Sequence, residues 1–380
     1  MAAMDDKGKQ AAIRLGDPVP WFEAGTVTGG SVALHVDAGR WAVLSFLGSL
    51  AEQDAAANLA ALLREAALFE EDHIVFYGIL AAPPTADALA QLAAISGPAI
   101  AFIADYDGSV ARRYGVCETP HSVILDPLQR AIAAIGRDHP TGHAEAVGRV
   151  LRGLPPVDES AGVPLWAPAL VVPRVLDFEL CDFLIRLYDA MGGEESGFLL
   201  DRGGKTATVV DHRLKRRRDL LIVDPALRRT MQDQIRRRLV PAIEQFFGFS
   251  ATRMDRCLVS CYDATEGGYF FRHRDNVNAG AEHRRFAVSI NLNGDYEGCD
   301  LIFPEFGRRL YRAPVGGAVV FSCAMLHQVT PVTRGRRFAF VPFLYGETEA
   351  ALRERNNARL AAGEKLYVEG SDRLFPLAAE

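Results

Sequence analysis

Between Trp41 and Pro127, short runs that are almost wholly apolar alternate with segments whose apolar residues recur every three or four positions. WAVLSFLG (41–48), HIVFYGIL (73–80), AIAFIAD (99–105) and SVILDP (122–127) have the length and content of strands buried on both faces. LAALLREAALF (59–69) and TADALAQLAAI (85–95) carry the helical period. Strand–helix alternation of this kind predicts an α/β layer. Around 152–173 both periods stop in GLPPVDESAGVPLWAPALVVP, whose prolines and glycines mark a linker packed partly through Trp166.

Beyond that break the texture changes. VLDFELCDFLIRLYDAM (175–191) and PALRRTMQDQIRRRLVPAIEQFFG (225–248) read as amphipathic helices, with Asp177 and Asp224 as start signals. From 256 onward only short strand-like runs remain: RCLVSCY (256–262), RRFAVSINL (284–292), DLIFP (300–304), GAVVFS (317–322) and RFAFVPFLY (337–345). Turns rich in Gly, Asn and Asp separate them, which predicts a double-sheet barrel with helices on one face. The stretch 349–370 reads as a polar helix closing this region, without chemistry of its own.

Composition adds little to that division, since 49% hydrophobic and 24% charged residues in a chain of 380 describe an ordinary globular protein of about two domains. Charge is unevenly spread. Residues 1–164 carry 11 Lys+Arg against 20 Asp+Glu, a net −9, and residues 165–380 carry 31 against 28, a net +3. Neither half has the basic excess of a nucleic-acid-binding surface, so nucleic acid is not expected as a partner. The six cysteines lack the spacing of a disulfide framework or a zinc site. With no signal-peptide pattern and no apolar run of membrane-spanning length, the expectation is a cytoplasmic protein with reduced thiols and no membrane association.

Candidate chemistry is concentrated between 262 and 337. His273 and Asp275 stand two apart, so an extended chain presents both on one face, and His327 supplies a third donor from a neighbouring strand. Two histidines and a carboxylate form a facial triad that leaves metal positions open for other ligands. Downstream, the turn Val332-Thr333-Arg334-Gly335 predicts a hairpin folding 326–331 onto 336–345. Arg337 then opposes Pro331 and shares a face with His327, about 13 Å along the strand. A register slip of one residue would turn Arg336 inward instead. The bland readings are a solvated loop for Lys215-Arg216-Arg217-Arg218, with a substrate entrance as its alternative, solvated side chains for Arg272 and Arg274, and a loop position for His283.

Two resemblances rest on these stretches. LGDPVPWF (15–22), WAVLSFLG, IADYDGSVARRYGV (103–116) and TPHSVILDP (119–127) resemble the peroxiredoxin and thioredoxin-like superfamily, in which a proline placed as Pro120 is often cis. The peroxidatic cysteine of that family would follow FLG, but SLAEQDAAAN (49–58) contains none. The thiolate is the attacking atom of that reaction. Cys117 is expected to be a buried, inert thiol, which leaves the domain non-catalytic and a thiol peroxidase improbable. The region from about 171 to 347 resembles the prolyl-4-hydroxylase-like Fe(II)/2-oxoglutarate dioxygenases, through CYDATEGGYFFRHRDN, INLNGDYEGCDLIFPEFG and FSCAMLHQVTPVTRGRRFAFVPFLY.

That second resemblance implies a double-stranded β-helix, or jelly roll, with supporting helices. It also implies Fe(II) held by His273, Asp275 and His327, the distal carboxylate of 2-oxoglutarate at Arg337, and Tyr262 facing the cosubstrate. Asn291 stands where a tyrosine is usual, and Gly298-Cys299 replaces a Gly-Gly pair, with Cys299 read as packing. The implied reaction uses O2 to convert 2-oxoglutarate to succinate and CO2 while hydroxylating a C–H bond of an amino-acid-like, peptide or protein substrate. Ascorbate is a candidate auxiliary ligand. The expected organisation is 14–152 thioredoxin-like, 153–170 linker, 171–348 dioxygenase and 349–380 C-terminal extension. The N-terminal domain would recruit substrate or support a homodimer. The competing reading is a non-catalytic metal- or ligand-binding protein with a redox-dead docking domain.

Overall fold

The computed structural model describes residues 13–367 and 372–375. The chain divides into two compact units, one running to Ala167 and including Pro304–Arg308, the other comprising Pro168–Phe303 and the chain from Arg309 onward.

In the first unit Trp41–Gly48 lies at the centre of a five-stranded sheet, parallel to Ile74–Leu80 and antiparallel to His121–Leu125. Ile100–Ala104 and Ala131–Ile135 form the edges. Alternate residues of the central strand feed two cores. Trp41, Val43 and Leu47 join Phe76, Leu59 and Leu151 on one face, while Ala42, Leu44 and Phe46 join Val75, Tyr77 and Tyr114 on the other. A strand covered on both faces needs apolar residues at every position, hence the unbroken WAVLSFLG. The unit is thioredoxin-like, and Thr119–Pro120 is a cis peptide bond.

Three local readings shift. The expected helix at 59–69 is the helix Gln53–Leu62 followed by a 3-10 turn at Leu63–Leu68. Ala131–Ile135 and the helix His143–Arg152 were not foreseen. Trp166 is 64% exposed, and at the end of the expected linker Leu170–Val172 is an edge strand of the second unit, paired to Ala318–Ser322.

The second unit is a jelly roll of two sheets. The larger runs in the order Arg253–Asp255, Phe343–Tyr345, Phe286–Asn291, Arg336–Phe340, Leu258–Asp263, Arg218–Leu221, Glu194–Glu195, with Ala318–Ser322 added on Phe286–Asn291. The smaller orders Lys215–Arg216, Tyr269–His273, His327–Val329, Leu301–Ile302, Leu310–Tyr311. Helices Phe178–Met191, Pro225–Arg238 and Val240–Phe247 cover one face of the larger sheet, where Leu184, Met231 and Ile243 pack with Val259, Ile290 and Phe340. The single helix expected at 225–248 is two, because Pro241 has no N–H to continue the first and suits the opening turn of the second. RFAFVPFLY is likewise two strands, broken at Val341-Pro342.

The hairpin expected after His327 does not form. Val332–Arg334 pairs with Glu297–Gly298, and the chain passes from the smaller sheet at His327–Val329 to the larger at Arg336–Phe340. Arg337 therefore opposes Tyr262 and not Pro331. A jelly roll closes by strands that change sheets, and the local turn signal carries no information about which sheet receives the next strand.

Candidate metal centre and adjoining cationic pocket

His273 and His327 are direct partners in antiparallel strands, so both rings leave the same face, with centroids 4.2 Å apart. Asp275 follows His273 by one turn of extended chain, fixed by its N–H donating to Cys323 O at 2.9 Å. Its two oxygens meet the two imidazoles, Oδ1 lying 3.6 Å from His273 Nε2 and Oδ2 3.3 Å from His327 Nε2. Ligand atoms of the three residues lie within 4.8 Å of one another, the spacing of a shared cation.

The tautomers suit a metal. His273 Nδ1–H donates to Phe271 O at 2.8 Å and His327 Nδ1–H to Met325 O at 3.1 Å. A carbonyl only accepts, so the proton sits on Nδ1 and both Nε2 lone pairs face Asp275. Burial, reinforced by the neighbouring His273, pushes the pKa of His327 down to about 4, which keeps the ring a neutral donor. Burial disfavours the Asp275 carboxylate, but His327 and His273 more than offset it and hold its pKa below the usual carboxylate range. Phe270 stacks on His273 at 3.6 Å between centroids and Phe321 meets His327 edge-on at 4.6 Å, fixing both rings.

These three residues line a cavity of about 70 Å³ together with Arg337, Tyr262 and Ser289 from the larger sheet. On Arg336–Phe340 the period of two sends Phe338 and Phe340 to the helices and Arg337 into the cavity. Arg336 points outward, paired at 2.9 Å with exposed Asp189. Arg337 is 4% exposed and its partners are neutral: Asn291 Oδ1 accepts from Nε at 3.0 Å and from Nη2 at 2.8 Å, and Ser289 Oγ accepts at 2.7 Å. Among the described residues no carboxylate pairs with it. A buried guanidinium held by neutral acceptors keeps its charge for an anion.

Asn291 is therefore a partner of Arg337, with its own Nδ2–H donating to Ala313 O at 2.6 Å. It is not a wall of the cavity. Cys299 is buried with φ at +59°, and Gly298 precedes it at +71°, so a side chain stands where the backbone favours glycine. Tyr262 is buried, its hydroxyl 3.5 Å from Arg217 Nη1.

Several bland readings are corrected here. The basic run is not a solvated loop: strand alternation points Lys215 and Arg217 inward and leaves Arg216 and Arg218 exposed. Lys215 Nζ donates to Ser196 Oγ and Gly197 O, both at 2.7 Å, and Arg217 pairs with Asp219 at 2.7 Å and lines the cavity. Arg274 is buried rather than solvated, donating to Ala324 O. His283 does lie in a turn, as read, but is 2% exposed there, packed on Tyr345 and 3.4 Å from Asp255. Cys117 is exposed, contrary to the buried thiol expected. The 349–370 segment begins in the helix Glu347–Asn356, and its Arg353 pairs with buried Asp255 at 2.6 Å. Ser289 and Arg256, both lining the cavity, were missed as site residues, and Arg217, which also lines it, was offered only within the alternative of a substrate entrance. The period-two pattern of 215–219 was the available signal for Arg217.

The family model that matches this chain covers the three candidate metal ligands and Arg337. Residues 257–345 match the family model described as the 2OG-Fe(II) oxygenase superfamily. A PKHD-type hydroxylase of Nitrobacter winogradskyi is 34% identical over 105 residues, 25% of this chain and 45% of that protein. The PKHD-type hydroxylase PiuC of Pseudomonas aeruginosa is 37% identical over 91 residues, 22% of this chain and 39% of that protein. The chain thus spans under half the length of these curated relatives. A Pseudomonas putida prolyl-4-hydroxylase structure aligns with a TM-score of 0.35 and 19% identity, covering 50% of this chain and 95% of that one. The peroxidoxin BcpB of Mycobacterium tuberculosis aligns with 0.32 and 20%, covering 38% and 99%.

Proposed function

We propose that the 2OG-Fe(II) oxygenase domain of the second unit hydroxylates a C–H bond of an amino-acid-like or peptide substrate. His273 Nε2, one Asp275 oxygen and His327 Nε2 hold Fe(II), and Arg337 receives the distal carboxylate of 2-oxoglutarate. The reading is carried by one observation: two imidazoles with Nδ1–H tied to carbonyls aim free Nε2 lone pairs at one carboxylate, beside a buried arginine that pairs with no carboxylate among the described residues. With 2-oxoglutarate and O2 bound, the iron supplies the oxidising power for hydroxylation, releasing succinate and CO2.

The chain's part is orientation and exclusion. Phe270 and Phe321 hold the imidazoles, Asn291 and Ser289 hold the guanidinium fork, and Tyr262 closes the wall above it. Apolar Leu301, Val329 and Phe321 limit water around the reacting centre. The first unit has no thiol in residues 49–58, and we assign it a non-catalytic role in recruiting substrate or partner. Six free cysteines accord with a reducing, cytoplasmic setting. Among the described residues no helix is long and apolar enough to cross a membrane.

Anaerobic addition of Fe(II) and 2-oxoglutarate should produce a weak visible charge-transfer band that requires both, and air with a panel of amino acids and peptides should release succinate. A protein that binds Fe(II) and 2-oxoglutarate without releasing succinate under any of these conditions would favour the non-catalytic binding role. Absence of the band itself would remove the reading altogether.

A further inference from the structure

Arg256 is the cavity residue that the proposed iron and cosubstrate chemistry leaves unused. It lines the same cavity as His273, Asp275 and His327, and it also borders a second cavity of about 510 Å³ in the same unit. Its backbone is left-handed, φ +61°, a conformation a non-glycine residue adopts at a cost, held by its own N–H donating to Asp255 Oδ1 at 2.9 Å.

The neighbouring charges are matched and Arg256 is not. Arg217 pairs with Asp219 at 2.7 Å, and Arg353 and Arg284 pair with Asp255 at 2.6 and 3.4 Å. Among the described residues the Arg256 guanidinium has no carboxylate and no hydrogen-bond acceptor; it rests over the Phe343 ring, 5.4 Å from the centroid, and Arg284 lies over the same ring at 4.1 Å. Burial, and after it Arg284, pushes its pKa down to about 10, whereas those of Arg217 and Arg337 move up. Asp255 and, after it, Asp219 are the carboxylates that act on Arg256, but Asp255 is already shared by Arg353, Arg284 and His283 and Asp219 is paired with Arg217, so the arginines of this cluster outnumber its carboxylates.

Adding the proposed ligands does not remove that surplus. A divalent iron with Asp275, and dianionic 2-oxoglutarate with Arg337, sum to a neutral set. Arg256 is half-buried, and an unpaired charge partly withdrawn from water is stabilised when a counter-charge arrives. The planar guanidinium fork is matched by a carboxylate.

We infer that Arg256 is the substrate-carboxylate site of this pocket, so that the oxygenase takes a substrate carrying a free carboxylate. This rests on the iron and 2-oxoglutarate reading above, and it narrows the substrate to small acids or residues presenting an acidic group, excluding the neutral interior of a peptide.

The test uses the full chain loaded anaerobically with Fe(II) and 2-oxoglutarate, and reads the perturbation of the visible band by free L-amino acids and N-acetyl-L-amino acids, each against its own amide. Acids that perturb the band should do so at concentrations lower than their amides by about tenfold or more. In Arg256→Gln that preference should vanish while the affinities for Fe(II) and 2-oxoglutarate stay unchanged. Arg256→Gly, which suits the left-handed backbone, serves the same purpose if the glutamine variant does not fold. Equal response to acid and amide, no response to any acid while the band forms, or a preference that survives loss of Arg256 overturns the assignment. A lowered 2-oxoglutarate affinity in Arg256→Gln would move this arginine to the cosubstrate and also overturn it. Failure of the band to form in the unaltered protein strikes the iron reading instead.

Discussion

In the first unit the strand Ile74–Leu80 is buried along its whole length, and its two faces enter two separate apolar cores. The second unit instead buries Arg217, Asp255, Arg284, His327 and Arg337 on strands or the loops beside them. Charge is removed from water only at a cost, which packing alone does not repay. The first unit buries few charges, chiefly Arg40 and Asp105, whereas the sheets of the second turn many charged side chains inward. In the first unit the sheet is intact, and residues 49–58 contain no cysteine.

The most severe test of this contrast is His327→Ala. It should abolish the Fe(II)/2-oxoglutarate band and reduce succinate release by more than about 100-fold, beyond the effect usual for residues that only orient a ligand, while thermal unfolding by circular dichroism changes little. Retained iron binding would show that the buried polar face of the second unit is structural.

The two interiors should also fail differently. Phe76→Ala empties part of an apolar core and should cost about 3–5 kcal/mol in denaturant unfolding, leaving iron binding unchanged. Asp255→Asn leaves Arg353 and Arg284 without their carboxylate and should cost about 3–5 kcal/mol by charge rather than volume. Partial recovery in Asp255→Asn with Arg353→Met would separate the two causes, since removing the orphaned cation cannot refill a cavity.

Arg337→Ala should raise the dissociation constant for 2-oxoglutarate by about 30-fold or more, the cost of removing one partner of a buried charge pair. Arg336→Ala, which removes only the exposed pair with Asp189, should leave it within experimental error. The smallest effect is expected of Cys117→Ser: with an exposed thiol outside the proposed chemistry, stability should move by less than about 0.5 kcal/mol, and succinate release should not change.

Much of this contrast could be read along the chain. WAVLSFLG specifies a strand buried on both faces because no polar residue other than Ser45 interrupts it, and Ser45 finds Ser122 Oγ at 2.9 Å across the sheet. The HxD spacing presents two donors on one face by the geometry of extended chain alone. The site also contains residues whose roles no local pattern displays. Arg256 owes its place to a left-handed backbone, Ser289 to its register opposite Val319, and Lys215 to a sheet that covers it. The predicted hairpin placed Arg337 in the pocket by an incorrect route, since the residue faces inward from a different sheet than the one assumed.

What the sequence determined by itself is what depends on neighbours along the chain: apolar period, proline breaks, the absence of a thiol in 49–58, and the identity of two imidazoles, a carboxylate and a following arginine. Tertiary structure decided which strands meet. It set His273 opposite His327, turned Arg337 inward and Arg336 to Asp189, and left Arg256, among the described residues, without a carboxylate in salt-bridge contact. Side-chain alternation is a property of the backbone and survives in any sheet, whereas pairing between distant strands is chosen by burial of the whole core, to which each short segment contributes only a part.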